Sequence, residues 1–197
     1  MSAIWSAGAG DRRLPHVLLV HGSLDRSAGL LKLSRRLDDR YLVSRYDRRG
    51  YGRSVPCDGP FGIEAQVEDL IGVLDSVERQ PGPSVIVGHS YGGNVALATA
   101  HRRPELVAGV VTYETPLSWC SWWPSDSAGG DALAWQADPE EAAERFMRRL
   151  IGDARWDRLP PSSRRARRAE GVAMVGELLD LRRAPAWDGS AIAAPVL

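Results

Sequence analysis

Apolar residues recur along this chain in two alternating rhythms. Short, nearly continuous apolar runs at His16 to Val20, Tyr41 to Tyr46, Ser84 to Val87 and Val107 to Tyr113 have the length and β-branched content of buried strands. Between them lie stretches with helical spacing. Ser27 to Asp38 offers Leu30, Leu31, Leu33 and Leu37 as an inner face, and Ile63 to Glu78 offers Val67, Leu70, Ile71 and Leu74. Asn94 to His101 belongs to a third helix. Strands this apolar are covered on both faces, and parallel neighbours need a crossover between them. The pattern therefore predicts an α/β fold with a mostly parallel, doubly wound sheet.

After Glu114 the rhythm changes. Pro116 to Asp131 is rich in Trp, Ser, Gly and Pro. A helix start follows, with Asp138 as N-cap, Pro139 at the first position and Glu141 in capping-box spacing. Its apolar face is Ala143, Phe146, Met147 and Leu150. A longer helix is expected from Ser162 to about Arg183. No strand pattern occurs between Pro116 and Ile192, and the segment from Ala191 to Leu197 begins to look like another strand. The expected division is a core over residues 1–115, a helical cap over 116–190, and the start of the next core strand over 191–197.

Composition changes this picture little. In 197 residues, 25 basic side chains balance 25 acidic ones, so no global charge points to nucleic acid or an anionic membrane. Arg164, Arg165, Arg167 and Arg168 read as a solvated helix face. No apolar run approaches the ~18 residues of a membrane span, and Met1 to Gly10 lacks the pattern of a signal peptide. Cys57 and Cys120 stand far apart and in no metal spacing, so reduced thiols, a cytoplasmic location and no metal or cofactor are expected. Cys120 lacks an elbow and a nearby base and reads as structural.

The chemistry is concentrated in Gly88-His89-Ser90-Tyr91-Gly92, which fits G-x-S-x-G between a strand and a helix. A serine at that turn is exposed and presented for attack. Val20-His21-Gly22-Ser23 closes the first strand, and Asp47-Arg48-Arg49-Gly50-Tyr51-Gly52-Arg53-Ser54 follows the second. In this order the three segments resemble the α/β-hydrolase superfamily, with the nearest likeness to capped, cofactor-independent esterases, over about residues 15 to 197. The resemblance implies Ser90 as nucleophile. It also implies an oxyanion hole from the backbone N–H groups of Ser23, with Leu24 the alternative, and of Tyr91.

A serine needs a base, and the four histidines fit that role poorly. His16 precedes a strand, His101 stands at the far end of the helix that Ser90 starts, and His89 is expected to point away from Ser90. His21 is expected to be structural. By the family order of serine, acid and histidine, the base is expected beyond Leu197, in a chain longer than this one. Glu114, 24 positions after Ser90, matches an alternative family position for the acid; a cap-hinge or substrate contact is the competing reading. Trp119, Trp122 and Trp123, followed by Trp135, Trp156 and Trp187, would either line an apolar acyl pocket or pack the cap.

These residues lead to a hydrolase of an ester, thioester or related acyl bond, acting on a small, apolar acyl substrate. The alternatives are a non-catalytic binding protein that keeps the elbow, and a haloperoxidase-like or C–C hydrolase activity on the same site.

Overall fold

The computed structural model describes residues 4–7, 14–77 and 82–197. The chain begins with β1 (Ile4–Ala7) and β2 (His16–Val20). A 3-10 turn over Ser27–Leu30 leads into α1 (Leu31–Leu37), then β3 (Leu42–Tyr46) and α2 (Ile63–Ser76). The expected end of α2 at Glu78 lies outside the described residues. Next come β4 (Ser84–His89), α3 (Tyr91–Arg102) and β5 (Val107–Tyr113). The sheet order is β1-β3-β2-β4-β5, parallel throughout except for β1, which runs antiparallel along β3. The short β1 carried no readable pattern: its role is to cover an edge.

The chain leaves β2 for β3 on one side, then crosses back over β2 to β4 on the other. That reversal leaves a crevice outside the carboxyl ends of β2 and β4, where ligands settle in open α/β sheets. Alternation along β2 divides the core. Leu18 and Val20 face α2 and α3 with Ile86, Val67, Leu70 and Val95. Val17, Leu19 and Val43 face the other side, covered by Leu30, Leu37 and Tyr41. The inner face of α1 runs through Ser34, which is buried, rather than through the expected Leu33, which is exposed. The spacing Leu30, Ser34, Leu37 keeps the helical period, so the small residue is where helix and sheet come closest.

Five helices follow: α4 (Ala128–Leu133), α5 (Pro139–Ile151), α6 (Asp153–Asp157), α7 (Pro161–Ala169) and α8 (Gly171–Leu181). They share their own apolar cluster of Ala132, Leu133, Ala142, Ala143, Phe146, Met174 and Leu178, which also takes in Leu24 and Tyr51 from the loops above the sheet. Helix α5 starts as its sequence demands: Asp138 accepts from the Glu141 N–H at 3.1 Å, and Pro139 is first in the helix. Pairs Glu141–Arg145 and Glu144–Arg148 at i,i+4 support its outer face.

The single helix expected over Ser162 to Arg183 is instead two, turning at Glu170. Tertiary contacts cause the turn. Glu170 is buried and its carboxylate accepts from Arg26 at 2.6 and 3.0 Å and from the Gly52 N–H at 2.9 Å. A side chain on Gly171 would collide with the Pro139 carbonyl, so α8 starts against α5. Of the arginine run, Arg167 pairs with Glu170, and Arg168 pairs with Glu140, Glu141 and Glu144. Arg168 thus ties α7 to α5, and Arg167 holds the turn at Glu170, rather than both only facing solvent. The strand expected from Ala191 begins later: Gly189–Ala191 is a 3-10 turn, and only residues 195–197 lie parallel along β5, through Val110 N–H to Pro195 O at 2.9 Å and Leu197 N–H to Val110 O at 2.9 Å.

His16 is buried at the start of β2, with Nδ1 2.7 Å from the Ser84 hydroxyl. Burial lowers its pKa from 6.5 to about 4. The native state therefore resists a proton that the unfolded chain accepts, and this group's stabilisation is present above pH 6.5 and lost as pH falls toward 4. We expect His16→Leu to flatten the stability–pH curve in that window by about 1.4 kcal/mol per pH unit, read from urea midpoints at successive pH values.

Candidate active site

Ser90 is the residue between β4 and α3, with φ 52° and ψ −124°. A non-glycine residue in this region is strained by about 1–3 kcal/mol and persists only where its surroundings fix it. They do so here. The Ser90 N–H donates to Tyr113 O at 2.8 Å, and its carbonyl accepts from the Gly93 N–H at 2.8 Å. A methyl on Gly88 would lie 2.5 Å from the Gly92 carbonyl oxygen, and methyls on Gly92 or Gly93 would overlap the Val20 carbonyl or the Thr115 side chain. The elbow closes only because these three positions carry no side chain.

A cavity of about 400 Å³ opens over Ser90. Its polar floor is Gly22, Ser23, His89, Ser90, Tyr91 and Glu114. Its walls are Pro116, Trp123, Ala128, Phe146, Leu150 and Leu178, with the hydroxyl residues Ser118 and Ser127 among them. Every residue singled out in the sequence for the site (Ser90, Tyr91, Ser23 and Glu114) thus borders one pocket. No lysine or arginine lines it among the described residues. Of the tryptophan cluster, only Trp123 reaches the pocket. Trp119 packs edge-on against Trp187 at 5.5 Å between ring centroids, Trp122 is exposed, and Trp156 is buried among the helices. Cys57 and Cys120 are free thiols.

Tyr91 is the first residue of α3, so its N–H points from a helix N-terminus, which favours negative charge. Glu114 follows β5 with φ 54° and is largely exposed. His89 and Tyr113 are register partners on β4 and β5, which sets Glu114 beside Ser90. His89, expected to point away from Ser90, borders the same pocket. Its ring stacks on Tyr113 with centroids 5.6 Å apart, and its Nε2 lies 3.7 Å from a Glu114 oxygen. Strand β4 runs to His89, two residues past its expected end, and pairs it with Tyr113.

His21 is structural. It is fully buried; Nδ1 donates to Gly22 O at 2.7 Å, and Nε2 accepts from the Arg48 N–H at 2.9 Å. Both ring nitrogens are engaged and the ring is neutral. Burial, then the Arg48 charge, pushes its pKa well below the ordinary value. His101 stands at the other end of α3, where its Nδ1 meets the Asp188 N–H at 3.4 Å.

The group that sequence reading missed is the carboxylate of Glu177 on α8. It is fully buried and surrounded by donors from three segments of the core. Ser23 Oγ donates at 2.6 Å, Tyr51 OH at 2.7 Å and Gln66 Nε2 at 2.9 Å, and the Arg48 guanidinium pairs with both oxygens. Arg48 is equally buried. Its Nε donates to His21 O at 2.8 Å, and its guanidinium lies 5.0 Å from the ring centres of both Tyr51 and Tyr91. Burial alone would lower the Arg48 pKa, but Glu177, with Tyr51 and Tyr46 beside it, pulls the other way and the net shift is upward. The signal in the sequence was thin: a lone glutamate at an inward position of an apolar helix, beside Met174 and Leu178. Asn94 was missed too. It donates to Pro116 O at 2.9 Å and accepts from Trp187 Nε1 at 3.0 Å, tying the loop after β5 to α3.

No helix among the described residues is long and apolar enough to cross a membrane, and no cluster of side chains there could hold a metal ion. Similar proteins give this geometry its setting. Lipase LipV of Mycobacterium tuberculosis is 38% identical over 95 residues, covering 48% of this chain and 35% of that protein. The 2-hydroxymuconate semialdehyde hydrolase of Pseudomonas putida is 41% identical over 101 residues, covering 48% of this chain and 34% of its own length. The aligned stretch is thus about a third of each of these curated relatives. Among solved structures, the enol-lactonase of Burkholderia xenovorans superposes with a TM-score of 0.75 at 21% identity, covering 99% of this chain and 75% of that one. A thermophilic esterase of Thermogutta terrifontis gives 0.74 at 24%, covering 99% and 72%. At these identities the likeness is one of fold. Residues 17–195, from β2 through β5 and the helices that follow, match the model of the alpha/beta hydrolase family, and the chain belongs to that family.

Proposed function

We propose that the protein is a serine-dependent hydrolase of a small, neutral ester or related acyl bond. The observation that carries this reading is the strained Ser90 at the floor of a pocket, flanked by Ser23 and Tyr91 on one side and Glu114 on the other. In this reading Ser90 Oγ attacks the substrate carbonyl and gives its proton to a histidine base. The tetrahedral oxyanion is met by the N–H groups of Ser23 and Tyr91, each worth about 3 kcal/mol in such sites. Collapse expels the alcohol, and water then releases the acyl group from Ser90. Glu114 orients the base and stabilises its charged form. Helices α4 to α8, with the loop from Pro116, act as a cap that closes the pocket from above.

The pocket argues for the substrate class. Its walls are mostly apolar, with two serines among them, its volume is at the small end of ligand pockets, and the acidic Glu114 at its floor disfavours an anionic acyl group. C–C bond hydrolysis is a second reading, favoured by the semialdehyde hydrolase among the relatives; it would use the same serine and pocket.

In the intact gene product, a fluorophosphonate probe is expected to label wild type and not Ser90→Ala. Ester turnover by that variant should fall at least about 10³-fold. His89→Asn is expected to keep its labelling, since the base is assigned elsewhere; loss of labelling would make His89 the base. Leu150 is 58% exposed at the pocket wall, so Leu150→Arg should leave the melting temperature unchanged. It is expected to raise KM for p-nitrophenyl butyrate about tenfold and to improve turnover of a succinate half-ester. An unchanged preference between the two esters would show that acyl groups bind elsewhere.

A further inference from the structure

The loop between β2 and the Ser27 turn is held in a conformation it would not adopt alone. Leu24 has φ 53°, a left-handed backbone that a branched apolar residue avoids. Its side chain is buried in the cluster built by α4, α5 and α8, not in the sheet core. The residue before it, Ser23, donates its hydroxyl to Glu177 on α8 at 2.6 Å. The side chains of Ser23 and Leu24 are thus both held by the helices above the sheet, while the far end of the loop is tied to the core by the Ser27 N–H, which donates to Asp47 at 2.7 Å. On the other side, Glu177 is itself fixed by Arg48, Tyr51 and Gln66, all core residues. Arg48 reaches back to the start of the loop through His21.

We propose that Glu177 is a positioning residue that sets the Ser23 N–H of the oxyanion hole, so that the hole is assembled only when α8 is docked on the core. This rests on the reading of Ser23 as an oxyanion donor. Glu177 touches no substrate: it borders no part of the pocket, and its effect passes through the Ser23 hydroxyl. The bond from Ser23 to a buried carboxylate is charge-assisted and short, and stronger than an ordinary hydroxyl contact. An N–H that wanders from its aim by a fraction of an ångström loses much of its effect on the transition state, while ground-state binding in the apolar walls is unaffected.

Glu177→Gln is the direct variant, but it leaves the buried Arg48 charge without its partner and can fail to fold. Ser23→Ala removes only the hydroxyl and keeps the backbone N–H, so it carries the test. Two readouts are taken on the intact gene product. In hydrogen exchange, the peptide spanning residues 20–27 of Ser23→Ala is expected to exchange about tenfold faster than in wild type, a larger change than in any other peptide, while the melting temperature falls by only a few degrees. In ester hydrolysis, kcat is expected to fall about tenfold with KM within about twofold. Ser23→Thr, which keeps a hydroxyl, should restore both. Unchanged exchange in that peptide overturns the proposal, and so does faster exchange with an unaltered kcat, or a change in KM alone. Absence of Ser90-dependent turnover in wild type would instead sink the hydrolase reading, and the exchange arm would still decide whether Glu177 holds the loop.

Discussion

The buried ion pair between Arg48 and Glu177 is the contact on which the arrangement above the sheet depends. Two charges with no exposure to water are costly, and the cost is offset only if every donor and acceptor finds a partner. Here they do: the carboxylate takes Ser23, Tyr51 and Gln66 besides the guanidinium, and the guanidinium takes the His21 carbonyl and two tyrosine faces. Removing one member of such a pair typically costs about 3–5 kcal/mol, because the other is left buried and charged. The pair therefore does little to raise stability over an apolar packing, but it fixes one register between α8 and the loops after β2 and β3. Asp180, one turn further on α8, accepts from the Ile63 N–H at the start of α2 at 2.8 Å and reinforces that register.

Backbone strain is placed where the pocket is. The described non-glycine residues with φ in the left-handed region are Leu24, Ser90 and Glu114. They follow the carboxyl ends of β2, β4 and β5, three adjacent strands. Each is held by something rigid: Leu24 by the helical cluster, Ser90 by the glycines of the elbow, Glu114 by the end of β5. Strain of this kind survives where the scaffold over-determines it, and such places tend to be functional. A parallel sheet supplies that scaffold, because its strand ends are pinned by neighbours on both sides.

Much of this was legible in the sequence. The strands from β2 to β5 and the helices α2, α3 and α5 follow from apolar period and capping residues, and the elbow from its glycines. What escaped had physical reasons. The antiparallel β1 is four residues long and half exposed, so it has no period to read. The break between α7 and α8 is set by contacts of Glu170 and Gly171 with distant segments, and the only local sign of it is Gly171, a weak helix former that a helix can still accommodate. Glu177 looks like one polar residue on an apolar helix until Arg48, 129 positions earlier, is seen beside it. Likewise His89 was assigned by local turn geometry, and its place at the pocket mouth depends on how far β4 pairs with β5.

The spacing of Glu170, Glu177 and Asp180 bears on which helices this sheet could accept in exchange. In this chain the segment from α7 to α8 is not a free module. Its carboxylates fill sockets made by Arg26, Arg48 and the Ile63 N–H, each on a different part of the core. A transplanted segment without an acid at the place of Glu177 would leave a cation stranded in the interior. Exchange here therefore requires an incoming helix that brings that acid, or replacement of Glu177 and Arg48 by apolar residues together.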